Sequence, residues 1–391
     1  MIKLTLLSTD PLTAGKGGPN ARETDLWVNG RFLLADQPTG THRSAANFCL
    51  GLAHHWPGRF HLGTDPRASR AGPFLQASPN AILHPSRLTT GWRAHLWEQF
   101  LFPRLAPRAV QLHCMGTAPF LFPARRQTMF IHDLNFMILR DTFSHTFRLW
   151  YRLACALAAR RSRHLICFTG YVKSSITRLL GIPAQRISVI PQGPGIEEDL
   201  LAQTHTPGFA DPFFMCVGSL QPHKNLRAVL QAWFLWKDRP ASLGLKIIGQ
   251  PQRNFMALQI PPHFLDQPGV SFTGYVSDAE LVRHYHHALA FVYPSLEEGF
   301  GLPVVEAFHA GCPVITSHAS CLPEVAGEAA LLVDPHQPEE LTRAMQRIYS
   351  EPRLRQRLIA AGRLRAQLFS WDSASRALVN LLLEISSGKI R

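Results

Sequence analysis

Two glutamates, Glu298 and Glu306, stand in the string Glu297-Glu298-Gly299-Phe300-Gly301-Leu302-Pro303-Val304-Val305-Glu306, and Ala307-Phe308-His309-Ala310-Gly311 follows. Glycines before a proline, an apolar run and a closing glycine describe a loop that ends at the N-terminus of a short helix. Pro303 is expected at the first helical position and Glu306 in the first turn. A helix N-terminus carries unpaired N–H groups and partial positive charge, so it suits an anion such as a phosphate. Gly299 and Gly301 let that anion approach the backbone closely. The carboxylates would repel it, so they read as acceptors for neighbouring hydroxyls, and a vicinal diol can donate twice to one carboxylate. The plain alternative is that Glu306 favours the helix dipole and Glu298 is a solvated loop residue.

Other candidates stand at the ends of apolar runs. Leu289 to Tyr293, just before the string, reads as a buried parallel strand. Gln127 to Ile131 reads likewise and ends in His132-Asp133-Leu134-Asn135. Phe213 to Gly218 is a third strand, followed by Ser219-Leu220-Gln221-Pro222-His223-Lys224-Asn225-Leu226 and a helix to Lys237. Ligands bind at the carboxyl ends of strands in doubly wound sheets, which places His132 and Lys224 beside Glu298 as candidates. An ammonium there can neutralise a departing diphosphate. Near the start, Leu26 to Leu34 reads as a strand, Gln37-Pro38-Thr39-Gly40-Thr41 as a loop and His42 to His54 as a helix, so Gly40 marks a second anion-friendly turn. Each has a plain counterpart: a strand-end histidine is often structural, a lone lysine is often a surface residue, and one loop glycine has many causes.

Taken together, the strand, the glycines, the two glutamates and the helix resemble the Glu-x7-Glu motif of retaining GT-B glycosyltransferases. These are the large family 4 group (glycosyl transferases group 1), here of the bacterial polysaccharide and lipopolysaccharide type. The resemblance covers roughly residues 26–385 and is strongest over 213–335. It implies two doubly wound Rossmann-like α/β domains facing across a cleft, with a C-terminal helix crossing back to the first domain. Residues 26–200 would form the acceptor domain, 201–370 the donor domain and 371–391 the returning helix, with 1–25 an extension whose structure the sequence leaves open. Pro191 to Gly195, with the polar segment to Asp211, would be the hinge.

The resemblance also assigns roles. Glu298 would hold sugar hydroxyls and stabilise oxocarbenium character, Glu306 would hold the ribose, and His132 would face the donor sugar. Lys224, the Gly299-Phe300-Gly301-Leu302 loop and Gly40 would face the diphosphate, while Tyr275 and Val276 would line the nucleobase pocket. Pro323-Glu324-Val325 resembles an element that supports the donor pocket. The family's usual basic pair becomes His223-Lys224, so the first position is pH-dependent or lost. The implied reaction moves a hexose of mannose or glucose type from a nucleoside-diphosphate sugar to a hydroxyl of a glycan or lipid-linked glycan, with retention. No cofactor or metal is expected, and the chain contains no Asp-x-Asp. Two other readings remain: a same-fold sugar-nucleotide epimerase or hydrolase, and a basic nucleic-acid-binding protein. The aromatic residues show no RNA-binding pattern, so no nucleic-acid partner is expected.

Composition frames these readings. The 391 residues, 46% hydrophobic and 17% charged, fit two globular domains. No run of about 18 uncharged apolar residues is present, and Met1 to Ser8 lacks the pattern of a signal peptide. The seven cysteines form no Cys-x-x-Cys pair, which suggests reduced thiols in a cytoplasmic protein. The cluster Gly15-Lys16-Gly17-Gly18 lacks the helix and the terminal Lys-Ser/Thr of a phosphate-binding loop. Residues 1–200 hold 23 Lys+Arg against 11 Asp+Glu, and 201–391 hold 17 against 16. The basic half suits a phosphorylated acceptor or an anionic membrane surface. Arg140, Arg148, Arg152, Arg160, Arg161 and Arg163 interleave with Phe143, Phe147, Trp150 and Tyr151 in a helix that either lies on such a surface or packs with a solvated arginine face.

Overall fold

The computed structural model describes residues 25–35, 38–85, 92–105, 109–139, 143–203, 209–218, 221–249 and 268–389. The glycine cluster at 15–18, nearly all of the 1–25 extension and Arg140 lie outside the described residues, as do 204–208 of the hinge and Ser219-Leu220.

Short apolar runs form two all-parallel sheets whose central strands are buried on both faces and whose edge strands are partly exposed. The first contains β1 (Leu26–Asn29), β2 (Phe60–Thr64), β3 (Ala81–Pro85), β4 (Val110–His113), β5 (Arg126–Phe130), β6 (His164–Cys167) and β7 (Ile187–Val189). Their order is β3-β2-β1-β4-β5-β6-β7. The second contains β8 (Phe213–Val217), β9 (Gly244–Ile248), β10 (Val270–Gly274), β11 (Ala290–Tyr293), β12 (Val314–Ser317) and β13 (Ala330–Val333), in the order β10-β9-β8-β11-β12-β13. Each order reverses beside the first strand of its sheet, at β1 and at β8. Such switch points open a crevice at the carboxyl ends of the strands. The core sits between the sheets and their covering helices, with Phe48, Phe130 and Phe168 in the first domain and Trp233 and Val292 in the second fully or almost fully buried.

The helices used below are α1 (Gly40–His55), α2 (His145–Arg161), α3 (Gly170–Leu180), α4 (Leu226–Leu235), α5 (Asp278–His287), α6 (Leu302–His309) and α7 (Trp371–Ser386). The α7 helix returns to the first domain. Trp371 packs edge-on against Phe48 of α1 and donates its indole N–H to the Pro194 carbonyl at 2.8 Å. Gly51 of α1 meets Ser375 of α7 so closely that a Cβ would fall 1.8 Å from Ser375 Oγ. The small residue is what lets the two helices touch.

Four boundaries differ from the sequence reading. The first strand ends at Asn29, because Asn29 Oδ1 accepts from the Arg31 N–H and starts a 3-10 turn over Gly30–Leu34. Helix α1 begins at Gly40 rather than His42, with Thr39 as its N-cap. Strand β10 stops at Gly274, which has φ +71°, where the run from Val270 to Val276 suggests a strand two residues longer. In α6 the N-cap is Gly301, so Pro303 is the second helical residue and Glu306 lies in the second turn, beyond the reach of the first-turn dipole.

Candidate active site

Strand β11 delivers Tyr293 and then, through Pro294-Ser295-Leu296, Glu297 and Glu298 to its carboxyl end. Strand β8 delivers Lys224 on a 3-10 turn, Pro222–Lys224, that ends in Asn225 at φ +58°. Asparagine tolerates that left-handed conformation, and its side chain donates to the carbonyls of Pro294 (3.1 Å) and Pro335 (2.7 Å), which pins the turn to the exit of β11. Lys224 Nζ then donates to Glu298 Oε1 and to the Tyr293 hydroxyl, each at 2.6 Å. Tyr293 in turn donates to Glu298 Oε1 at 2.7 Å. Glu298 is 8% exposed. Burial works against its charge, but the nearby Lys224 charge and hydrogen bonds hold its carboxyl below the usual range. The Glu298 backbone N–H donates to Ser320 Oγ at 3.1 Å, which fixes the loop from the other side. His223 is buried, and desolvation followed by the Lys224 charge pushes its imidazole down to about 4. It is therefore neutral at pH 7 and adds no positive charge to the site.

Beyond Glu298 the loop is shaped by contacts that tolerate only glycine. Gly301 has φ +89°. A Cβ on Gly299 would fall 2.0 Å from the carbonyl oxygen of His132, across the cleft in the first domain. Phe300 between them is 5% exposed and packs against Phe168 and Phe369. Gly40, the first residue of α1, faces Leu302, whose Cδ1 would lie 3.1 Å from an added Cβ. The structure thus brings Gly40, His132, Gly299, Phe300, Gly301 and Leu302 into one seam. Glu306 is 7% exposed and accepts from the Tyr285 hydroxyl at 3.2 Å. Burial pushes its carboxyl up to about 7, with Arg43 and the Tyr285 bond offsetting only part of that. It sits against Gly195 of the hinge, where a Cβ would come 2.6 Å from Oε1.

His132 bonds through Nε2 to the Cys114 carbonyl at 2.7 Å. A carbonyl only accepts, so Nε2 carries the proton and Nδ1 is left as an acceptor. Burial pushes the ring down to about 4, so it is neutral at pH 7. Asp133 accepts from the Asn135 N–H at 3.0 Å, as the cap of the next turn. Tyr275 and Val276 follow β10, the edge strand of the second sheet; Tyr275 lies within electrostatic reach of Arg43, as does Glu306, and Val276 packs against the core that contains Phe300 and Val304. Tyr275 is 73% exposed and Val276 half-buried.

Several residues that the sequence reading missed hold the two domains together. Thr169, N-cap of α3, donates to the Gly299 carbonyl at 2.9 Å. The Tyr171 hydroxyl donates to Glu297 at 2.8 Å, and burial raises that carboxyl to about 7. Glu324 accepts from the N–H groups of Gly170 (2.8 Å) and Tyr171 (3.1 Å), so it caps a helix of the opposite domain and is more than a prop for its own. Arg43 of α1 makes a two-pronged bond to Asp278 of α5, at 2.7 and 2.9 Å. By sequence Ser277-Asp278-Ala279-Glu280 has the spacing of a helix start and nothing more, and the Ser277 side chain does accept from the Glu280 N–H. Nothing in the local pattern announced partners more than a hundred residues away.

Residues 203–365 match the family model described as glycosyl transferases group 1. The chain is 30% identical over 230 residues to O-antigen chain mannosyltransferase B of Escherichia coli, covering 55% of this chain and 59% of that protein. It is also 30% identical over 229 residues to O-antigen chain mannosyltransferase RfbU of Salmonella typhimurium, covering 58% and 62%. These alignments span about three-fifths of each relative's length. Among solved structures, sucrose-phosphate synthase from Thermosynechococcus elongatus superposes with a TM-score of 0.71 at 18% identity, over 93% of this chain and 100% of that one. Anabaena HepE in complex with UDP and glucose gives 0.65 at 16% identity, over 92% and 99%. At such identities the superpositions speak to the fold alone.

Proposed function

We propose, from the match of residues 203–365 to the group 1 glycosyl transferase model and from the GT-B fold of the two facing sheets, that the chain is a retaining, metal-independent hexosyltransferase. The donor is a nucleoside-diphosphate sugar, and the acceptor is a hydroxyl of a glycan or lipid-linked glycan in cell-surface polysaccharide assembly. The observation that carries the reading is the Lys224–Tyr293–Glu298 group, set at the carboxyl end of β11 directly before the glycine loop and the start of α6.

The chemistry follows from where charge develops. As the bond from the anomeric carbon to the diphosphate breaks, negative charge grows on the leaving oxygens and positive character on the sugar ring. Lys224 and the N–H groups at the start of α6 face the first, in a partly buried setting where such groups act strongly. Glu298, kept ionised by Lys224, faces the second and accepts from sugar hydroxyls. The acceptor oxygen bonds to the anomeric carbon on the face that the diphosphate leaves, and its proton passes to the departing diphosphate. His132 offers Nδ1 to a sugar hydroxyl, and Glu306 takes the ribose diol once ionised. Similarity to mannosyltransferases favours GDP-mannose as donor, and the HepE structure with UDP and glucose keeps UDP-glucose as the second choice.

The test is release of nucleoside diphosphate from GDP-mannose and from UDP-glucose, with methyl α-mannoside as probe acceptor and with EDTA present. Turnover that survives EDTA, with the product's anomeric proton in the donor's configuration by NMR, is expected. Inverted product would refute retention, EDTA-sensitive turnover would refute metal independence, and no release from either donor by folded protein would refute the reading.

A further inference from the structure

The first domain also exposes apolar surface on its outer elements. The helical segments Trp92–Leu96, Trp97–Leu101 and Phe102–Leu105 run on one another through a π turn. Leu96, Leu101 and Leu105 on this run are 43%, 47% and 46% exposed. On one side it meets α2, where the His95 and Trp150 rings lie 6.0 Å apart. There Leu149 is 73% exposed, Leu153 56% and Trp150 44%. On the other side Phe100 packs 5.6 Å from Phe122, under the Arg104 guanidinium, and Leu121 and Phe122 are about half exposed. Three separate stretches of chain therefore place leucines and aromatics side by side on one outer face. Packing against the core does not explain them, since their partners on the same elements, such as Trp97, Phe102 and Cys155, already fill it.

Among the described residues of these elements the exposed charge has one sign. Among the described residues from 92 to 163 the carboxylates are Glu98, fully buried, and Asp133, half-buried at the cleft. Arg93, Arg104, Arg125, Arg152, Arg160 and Arg161 are exposed on the same elements. On α2 the helical period puts Arg152 and Arg161 on either flank of Leu149 and Leu153, while Arg160 follows on their line two turns beyond Leu153, at the end of the helix. Apolar residues at the centre, arginines at the rim and a half-exposed tryptophan are the features of a surface that rests in the headgroup layer of a bilayer. No described helix is long and apolar enough to cross a membrane, so the contact is superficial.

We infer that this face, formed by residues 92–105, Leu121-Phe122 and the exposed side of α2, docks the first domain onto an anionic lipid bilayer. A second protein copy would bury the leucines as well, but it would bring the same arginines face to face. An anionic headgroup layer neutralises them. The inference stands apart from the catalytic reading, because binding to vesicles requires no turnover.

The test is co-sedimentation of the full chain with vesicles of phosphatidylcholine alone and of phosphatidylcholine mixed with phosphatidylglycerol. The expected result is binding that needs the anionic lipid and weakens as salt rises from about 0.1 M to about 0.5 M. Two double variants on separate elements, Leu149→Gln with Leu153→Gln and Leu121→Gln with Phe122→Gln, should each weaken the partition at least tenfold while melting like the wild type. Arg152→Glu with Arg161→Glu should remove the preference for anionic lipid. Failure of the wild type to bind anionic vesicles would overturn the inference. So would binding unchanged in both apolar pairs, or a concentration-dependent dimer in velocity sedimentation that the same pairs dissolve.

Discussion

Replacing Gly299 by alanine is the sharpest perturbation of the seam between the domains. The added Cβ would sit 2.0 Å from the His132 carbonyl oxygen and 2.9 Å from Asp133 Cβ, both in the opposite domain. The closest ordinary C···O approach is about 3.3 Å, so the loop and the His132 turn must part by roughly 1.3 Å. That same separation strains the Thr169 hydroxyl bond to the Gly299 carbonyl, now 2.9 Å. Displacement of about 1 Å at a reacting centre costs on the order of 100-fold in rate. Neither domain core contains Gly299, so the loss should fall on closure rather than on folding. The expected outcome for Gly299→Ala is a kcat reduced about 100-fold with a melting temperature within a few degrees of wild type. Gly72→Ala, where a Cβ meets nothing within 4 Å, is the control and should change neither. The assay is steady-state release of nucleoside diphosphate beside a thermal melt. If Gly299→Ala keeps kcat within threefold, the closed seam is not the working arrangement and the reasoning fails.

Other outcomes follow from the same geometry. Lys224→Met leaves the buried Glu298 carboxylate without its countercharge, which should cost about 3–5 kcal/mol in urea unfolding at pH 7. The gap should narrow at low pH as Glu298 protonates, and a loss under about 1 kcal/mol at pH 7 would show that Lys224 is not its essential partner. Glu306 should give a pH signature. Its folded pKa of about 7 lies above the ordinary 4.5, so the native state binds the extra proton and stability falls as pH rises between those values. The opposing effect is about 3 kcal/mol once the group is ionised. Glu306→Gln should therefore be more stable relative to wild type at pH 8 than at pH 5, and a difference between the two proteins that ignores pH would refute the shift.

How much of this was legible in the sequence depended on range. Periodicity and turn chemistry located the strands ending at Tyr293 and Val217, the glycine loop and the α6 helix, because each rests on neighbours within a few residues. Glu298 and Lys224 could be named for the same reason: both stand directly after strand ends. Their bond to each other and to Tyr293 depends on β8 and β11 being neighbours in the sheet, which spacing along the chain does not reveal. The bridges Arg43–Asp278, Tyr171–Glu297 and Glu324 with α3 join residues 235, 126 and 154 positions apart, and no local pattern carries that information. The basic, aromatic run in α2 was visible, but the neighbouring leucines at 96, 101 and 105 were not, since the 66–108 region has no clear period and a π turn shifts its register. Asn29 ended β1 early through a side-chain bond that competes with the ladder, a choice that the apolar run to Leu34 concealed.

The central claim is that the carboxyl ends of β8 and β11, with α6, bind the nucleoside diphosphate of the donor. Calorimetric titration of the wild type and of Glu306→Ala with GDP, UDP, ADP and dTDP tests it most directly. The account predicts that one of the four binds the wild type and that the variant binds it at least tenfold more weakly, a loss of about 1.4 kcal/mol or more. Binding of none of them to folded protein, or equal binding by the variant, would contradict it.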